Sequence, residues 1–125
     1  MSNLQFEKLY LILHNRSELR LRVVSASMSP LIKIGDEVIV KKVNISQLKR
    51  WDIIVFKKNK EIFVHCFWGY GRLNTDSIIT RALADLSHVD QGITRDDILG
   101  IVVNFSVPLY IKILMIIKFI LKITK

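Results

Sequence analysis

From Glu18 onward the apolar residues come in short runs at a period near two, and a chain so patterned buries its apolar side by forming a sheet. Leu19, Leu21 and Val23 alternate with Arg20 and Arg22, which predicts a strand with one solvated face. Further β-rich runs lie at Glu37–Lys42, Asp52–Lys57, Glu61–Trp68, Ser77–Arg81 and Ile98–Asn104. Polar or glycine breaks separate them at Ile34–Asp36, Lys49–Trp51, Lys57–Lys60 and Gly69–Thr75. Lys58-Asn59-Lys60 has the composition of a hairpin tip, with charges that discourage edge-to-edge pairing. The expected fold is mainly β, a small antiparallel sheet or barrel. No repeat or proline-rich linker divides residues 1–105, so they read as one body.

Phe6, Leu9, Tyr10 and Leu13 fall at helical spacing and predict a short amphipathic helix over about 3–15, with Ser2 and Gln5 at capping-box spacing. The segment lacks the apolar run and small-residue cleavage site of a secretory signal. One cysteine excludes an intramolecular disulfide framework.

The net charge of +8 invites a nucleic-acid reading, but half of it sits on four lysines in residues 106–125, the most apolar stretch of the chain. At about 100° per residue, Lys118, Lys122 and Lys125 fall within roughly 60° of one another, and Pro108 suits the first turn of a helix. The longest uncharged run inside this tail is Ile113–Ile117, short of the roughly 20 residues a span needs. The expectation is a helix lying in a membrane surface, lysines toward anionic lipid; a span with snorkelled lysines and a helix packed on the body are the alternatives. Nucleic acid is not an expected partner.

Chemistry concentrates at Ser25-Ala26-Ser27-Met28-Ser29-Pro30. A hydroxyl just after a strand and before a proline-marked turn is well exposed, but serine needs a base to act as a nucleophile. His65, inside the apolar run Ile62–Trp68, and lysines such as Lys41 and Lys57 are available. Cys66 follows His65 directly, so on a strand it faces the other way and reads as a small core residue. The segment Ala84–Gly92 reads as turn and polar loop, with His88 solvated in it. His14, His65 and His88 show no metal-ligand spacing, and there is neither a phosphate-cradling loop nor a dinucleotide fingerprint, so no metal or cofactor is expected.

The order Ser-x-Ser-Met-x-Pro (Ser25–Pro30), Gly-Asp-x-Val (Gly35–Val38), Asp-Ile-Ile-Val-Phe (Asp52–Phe56) and Val64-His65 resembles the signal peptidase I family of serine peptidases. It is most similar to the short archaeal and endoplasmic-reticulum variants in which histidine replaces the usual lysine base. The resemblance spans about Glu18 to Val103. It implies the small β fold shared by signal peptidases and DNA-damage-repressor autoproteases. It also implies that Ser27 is the nucleophile, that the Ser25 hydroxyl assists the oxyanion hole, and that His65 is the general base.

Four positions depart from the family pattern. Ala26 stands where glycine is usual before the serine, Trp51 replaces the glycine of the second Gly-Asp pair, and Cys66 replaces an arginine after the base. The late box, usually Thr-Lys/Arg-Gly-Asp, reads Thr80-Arg81-Ala82-Leu83-Ala84-Asp85, so its aspartate is out of register. Asp85 and Asp90 are equal candidates for the carboxylate that orients His65. The expected function is a membrane-associated serine endopeptidase acting on leader or signal-like peptides through Ser27 and His65. The alternative is a catalytically decayed scaffold of the same fold that binds peptide or membrane. A repressor-type autoprotease is disfavoured, because only 26 residues precede Ser27 and its base would be lysine.

Overall fold

The computed structural model describes residues 3–71 and 77–123. The proposed capping pair Ser2–Gln5, most of the Gly69–Thr75 break and Lys125 lie outside the described backbone or side chains. In chain order the elements are α1 (Asn3–Arg16), β1 (Glu18–Arg22), β2 (Glu37–Lys41), β3 (Ile53–Lys58), β4 (Glu61–Tyr70), β5 (Ile78–Ala82), β6 (Asp85–Ile93), β7 (Ile98–Val102) and α2 (Leu109–Ile123). Single 3₁₀ turns occupy Ile45–Gln47 and Arg95–Asp97.

The seven strands form one sheet in the order β1-β2-β7-β3-β4-β5-β6, and every pairing is antiparallel. The expected mainly β fold is therefore the one observed. Helix α1 ends where Ser17 takes a left-handed φ of 68° and its N–H bonds the Leu13 carbonyl at 3.0 Å. At the β3–β4 tip, Asn59 and Lys60 both have positive φ (52° and 66°) between the paired residues Lys58 and Glu61. Two central residues with positive φ give the turn whose twist matches its strands.

Alternation along β3 feeds two cores. Ile53 and Val55 join Val38, Val40, Leu99 and Val102 on one face, with Phe6 and Leu13 of α1 and Ile111 and Met115 of α2. Ile54 and Phe56 join Leu48, Phe67, Ile78, Ile93 and Ile98 on the other. β3 is thus buried on both faces, which explains its unbroken apolar run. Strand β7 lies between β2 and β3 because Gly100 lets the backbones close. A Cβ there would sit 2.3 Å from the Lys41 carbonyl oxygen and 2.8 Å from Val40 Cγ1.

Two expectations change here. Residues 84–92 are not a loop: Asp85–Ile93 is the edge strand β6, paired with β5. Its alternation was hidden because its outer side is polar and its register shifts twice against β5. In the tail helix α2, Lys118 is exposed, but Lys112 and Lys122 engage the body. Lys122 Nζ donates to Asp85 Oδ2 and Ser87 Oγ, both at 2.9 Å, and Lys112 Nζ lies 5.9 Å from the centre of the Trp51 ring. Among the described residues, no helix is long and apolar enough to cross a membrane.

Candidate active site

Ser27 lies in the loop between β1 and β2. The strand register closes that loop at its base, where Val23 N–H bonds the Asp36 carbonyl and Gly35 N–H bonds the Val23 carbonyl, each at 2.8 Å. Met28, 1% exposed, plugs into the main core and fixes the residue beside it. From across the molecule, the Ala84 N–H donates to the Ser27 carbonyl at 2.9 Å, so the β5–β6 turn holds the loop from its far side. Ala26 keeps an ordinary negative φ, so its methyl group is accommodated where glycine is usual. The Ser27 N–H donates to Ser25 Oγ at 3.1 Å, which sets the Ser25 hydroxyl beside the backbone of the expected nucleophile.

His65 is on β4 opposite Ile54 and is 2% exposed. Phe56 and Phe63 wall its ring, each with ring centres 5.7 Å from it. Cys66 faces the other core, as strand alternation requires, and burial pushes its thiol up to about 12, which leaves no nucleophilic thiolate near neutral pH. Of the lysines weighed as bases, Lys57 Nζ lies 5.0 Å from the centre of the Phe6 ring on the α1 side, and Lys41 is exposed on β2. Neither lines the cavity that holds Ser27.

His65 Nδ1 lies 2.6 Å from Asp90 Oδ2, in a pair shielded from water. An ionised carboxylate only accepts, so His65 donates through Nδ1–H and a neutral ring carries its free lone pair on Nε2. Thr80, directly across from Asp90 in the β5–β6 register, donates its hydroxyl to the same oxygen at 2.8 Å. The other oxygen, Oδ1, faces His88 Nε2 at 3.4 Å and Lys58 Nζ at 3.6 Å. Burial alone raises the Asp90 pKa, but the hydrogen bonds from His65 and Thr80 and the charges of His65 and His88 outweigh it and hold the group at about 2.

Asp85 is placed differently. Its carboxylate takes the Ser87 hydroxyl at 2.5 Å, Lys122 at 2.9 Å and the Ser87 N–H at 3.0 Å. Those partners, the Ser87 hydroxyl foremost, hold it at about 2 at an exposed position. Asp90 and not Asp85 is the carboxylate on His65.

Ser27, Ser25 and His65 line one cavity of about 620 Å³, together with Val24, Phe63, Val64, Ala84, Asp85 and His88. Its walls are mostly apolar with a few polar groups among them, the character of a binding cleft. Thr80, His88 and Lys58 were not singled out as site residues by sequence reasoning. For Thr80 and His88 the available signal was a period of two within His88–Asp90, opposite Thr80 in a hairpin.

The family model for signal peptidase, peptidase S26, matches residues 9–84 of this chain. No curated protein and no solved structure matched it. The matched span contains Ser25, Ser27, His65 and Thr80; His88 and Asp90 lie beyond it.

Proposed function

The chain belongs to the signal peptidase family, peptidase S26, and from that premise we propose a membrane-associated serine endopeptidase that cleaves leader or signal-like peptides with Ser27, His65 and Asp90. Membership carries signal peptidase-type function in general, with peptide or preprotein substrates. The residue assignment rests above all on one observation. A buried His65 is hydrogen-bonded to a buried Asp90 at 2.6 Å, in a cavity that Ser27 also lines.

In this reading His65 Nε2 takes the Ser27 hydroxyl proton as Oγ attacks the scissile carbonyl. Asp90 holds the ring in the required tautomer and stabilises the imidazolium that forms. The negative charge on the carbonyl oxygen is met by the Ser25 hydroxyl and the Ser27 N–H; one such donor is commonly worth about 3–4 kcal/mol. His65 then returns the proton to the leaving amine, and water releases the acyl group from Ser27 by the same route. Phe63 and Val64 exclude bulk water from the site.

Ser27→Ala is expected to abolish product formation from a leader peptide without altering the fold, read by mass spectrometry and circular dichroism. Unchanged turnover would overturn the assignment. The decayed-scaffold reading draws on the Ser27 N–H, which here is engaged by Ser25 Oγ rather than free for an oxyanion. A serine-reactive acylating inhibitor separates the two: an enzyme gains a covalent adduct on Ser27, and a binding-only scaffold gains none.

Membrane association in the proposal comes from α2. Its inner face, Ile111 and Met115, is buried in the body, while Leu109, Tyr110, Ile113, Leu114, Ile116, Ile117 and Ile120 are exposed. At about 100° per residue these exposed side chains form one uncharged band roughly 160° wide, with Lys118 at its margin. A lipid surface is the occupant that such a band fits.

A further inference from the structure

We infer that His65, His88 and Asp90 form a binding site for one Zn²⁺ ion, and that the ion inhibits the peptidase by occupying its base. The inhibitory part rests on the function proposed above; the metal site does not.

Two imidazoles and a carboxylate are a donor set that Zn²⁺ takes readily, leaving a fourth position open. One donor atom from each residue lies within 4.8 Å of the others. A tetrahedral ion with ligands at about 2.0–2.2 Å wants them roughly 3.3–3.5 Å apart. His88 Nε2 is already 3.4 Å from Asp90 Oδ1, and its ring stands edge-on to His65 with centres 5.7 Å apart. The adjustment falls on the member free to make it: the His88 side chain is 58% exposed, whereas those of His65 and Asp90 are 3% and 6% exposed.

The surroundings supply a supporting shell. Thr80 Oγ1 holds Asp90 Oδ2 at 2.8 Å and keeps the carboxylate aimed. Lys58 Nζ, 3.6 Å from Oδ1, is the competing cation; its side chain is a third exposed and can turn outward as the metal enters. The ion takes the Nδ1 lone pair in place of the proton that His65 Nδ1 shares with Asp90; that proton passes to Nε2, so the ring stays neutral with the metal on one nitrogen and hydrogen on the other. His65 then loses both the charge partner and the proton-accepting freedom that the peptidase step needs.

The test uses the full chain. In Ser27→Ala, where turnover cannot interfere, Zn²⁺ is titrated calorimetrically and Co²⁺ is titrated by its visible spectrum. One ion per chain and the spectrum of a four-coordinate Co²⁺ centre are expected. Adding His88→Ala is expected to weaken affinity about tenfold or more, with His88→Gln as a second variant that preserves size. In protein with Ser27 intact, Zn²⁺ is expected to inhibit peptide cleavage and a chelator to restore it. His88→Ala should need about tenfold more Zn²⁺ for half-inhibition, judged against its own metal-free rate. Absent stoichiometric binding, or equal affinity with and without His88, overturns the site. His88-dependent binding with undiminished cleavage overturns the inhibitory role. His88-dependent binding by a chain that cleaves nothing leaves the site standing and overturns the peptidase reading.

Discussion

A single carboxylate, Asp90, gathers a hydroxyl, two imidazoles and an ammonium from three other positions in the sheet and one on its own strand. Replacing it with Asn keeps the size but removes the charge and offers His65 an amide that no longer enforces the tautomer. Asp90→Asn is expected to lower kcat by about 10³–10⁴ with a small change in KM, measured by steady-state peptide cleavage. Asp85→Asn, whose partners are Ser87 and Lys122, is expected to lose at least about tenfold less. The same residue sets a pH dependence of stability. The Asp90 pKa is about 2 in the fold and near 3.9 in an unfolded chain, so the unfolded state binds more protons between those values. The stabilisation, roughly 2 kcal/mol, is therefore fully present above about pH 4 and is lost as pH falls toward 2. Urea unfolding from pH 6 down to 2 should show that loss, diminished in Asp90→Asn; Asp85, also held at about 2, accounts for part of what remains.

At the scale of elements, the strands that carry regular alternation or an unbroken apolar run could be read in the sequence, and β6 could not. An edge strand has one neighbour, its outer face is polar, and two register shifts break its period. That is also why Asp85 and Asp90 were indistinguishable beforehand: the bulged β5–β6 hairpin decides which of them reaches His65. Trp51 is a second case. A bulky residue takes the left-handed turn that glycine usually fills, with φ 79°, at a cost of about 1–2 kcal/mol. Its ring packs edge-on to Trp68 at 4.7 Å beneath Lys112 of α2, contacts that offset the strain and tie the turn to the tail. The β2–β7–β3 junction has no such latitude. Gly100→Ala drives a methyl into the Lys41 carbonyl and should cost about 3 kcal/mol or more, lowering the thermal midpoint by roughly 10 °C.

For the whole molecule, the tail is both part of the core and a surface. Deleting residues 106–125 would remove Val107, Ile111 and Met115 from the main core, so truncation tests folding as much as membrane binding. Substituting outward residues is the cleaner measurement. Ile113, Ile117 and Ile120 changed together to Ser should weaken co-sedimentation with lipid vesicles about 100-fold, with the melting temperature nearly unchanged. Because Lys112 and Lys122 turn toward the body, this binding should depend less on salt and on anionic lipid than the lysine count suggests. Binding that disappears at moderate salt would instead place the attraction in the lysines.

What the sequence determined by itself was local: the strand runs, the hairpin tip, the opposite facing of His65 and Cys66, and the ordered motifs around Ser27 and His65 that resemble signal peptidases. Each depends on residues a few positions apart, where period and turn chemistry act directly. Which aspartate meets His65, that His88 and Thr80 converge on it, and which way the tail lysines point were decided only by tertiary structure. Those facts turn on register across a bulged edge and on which face of α2 finds the body. A one-residue slip reverses every side chain on a strand, and no local pattern records it. Half of the +8 charge is thus accounted for in the tail, and what it does there is set by the sheet it packs against.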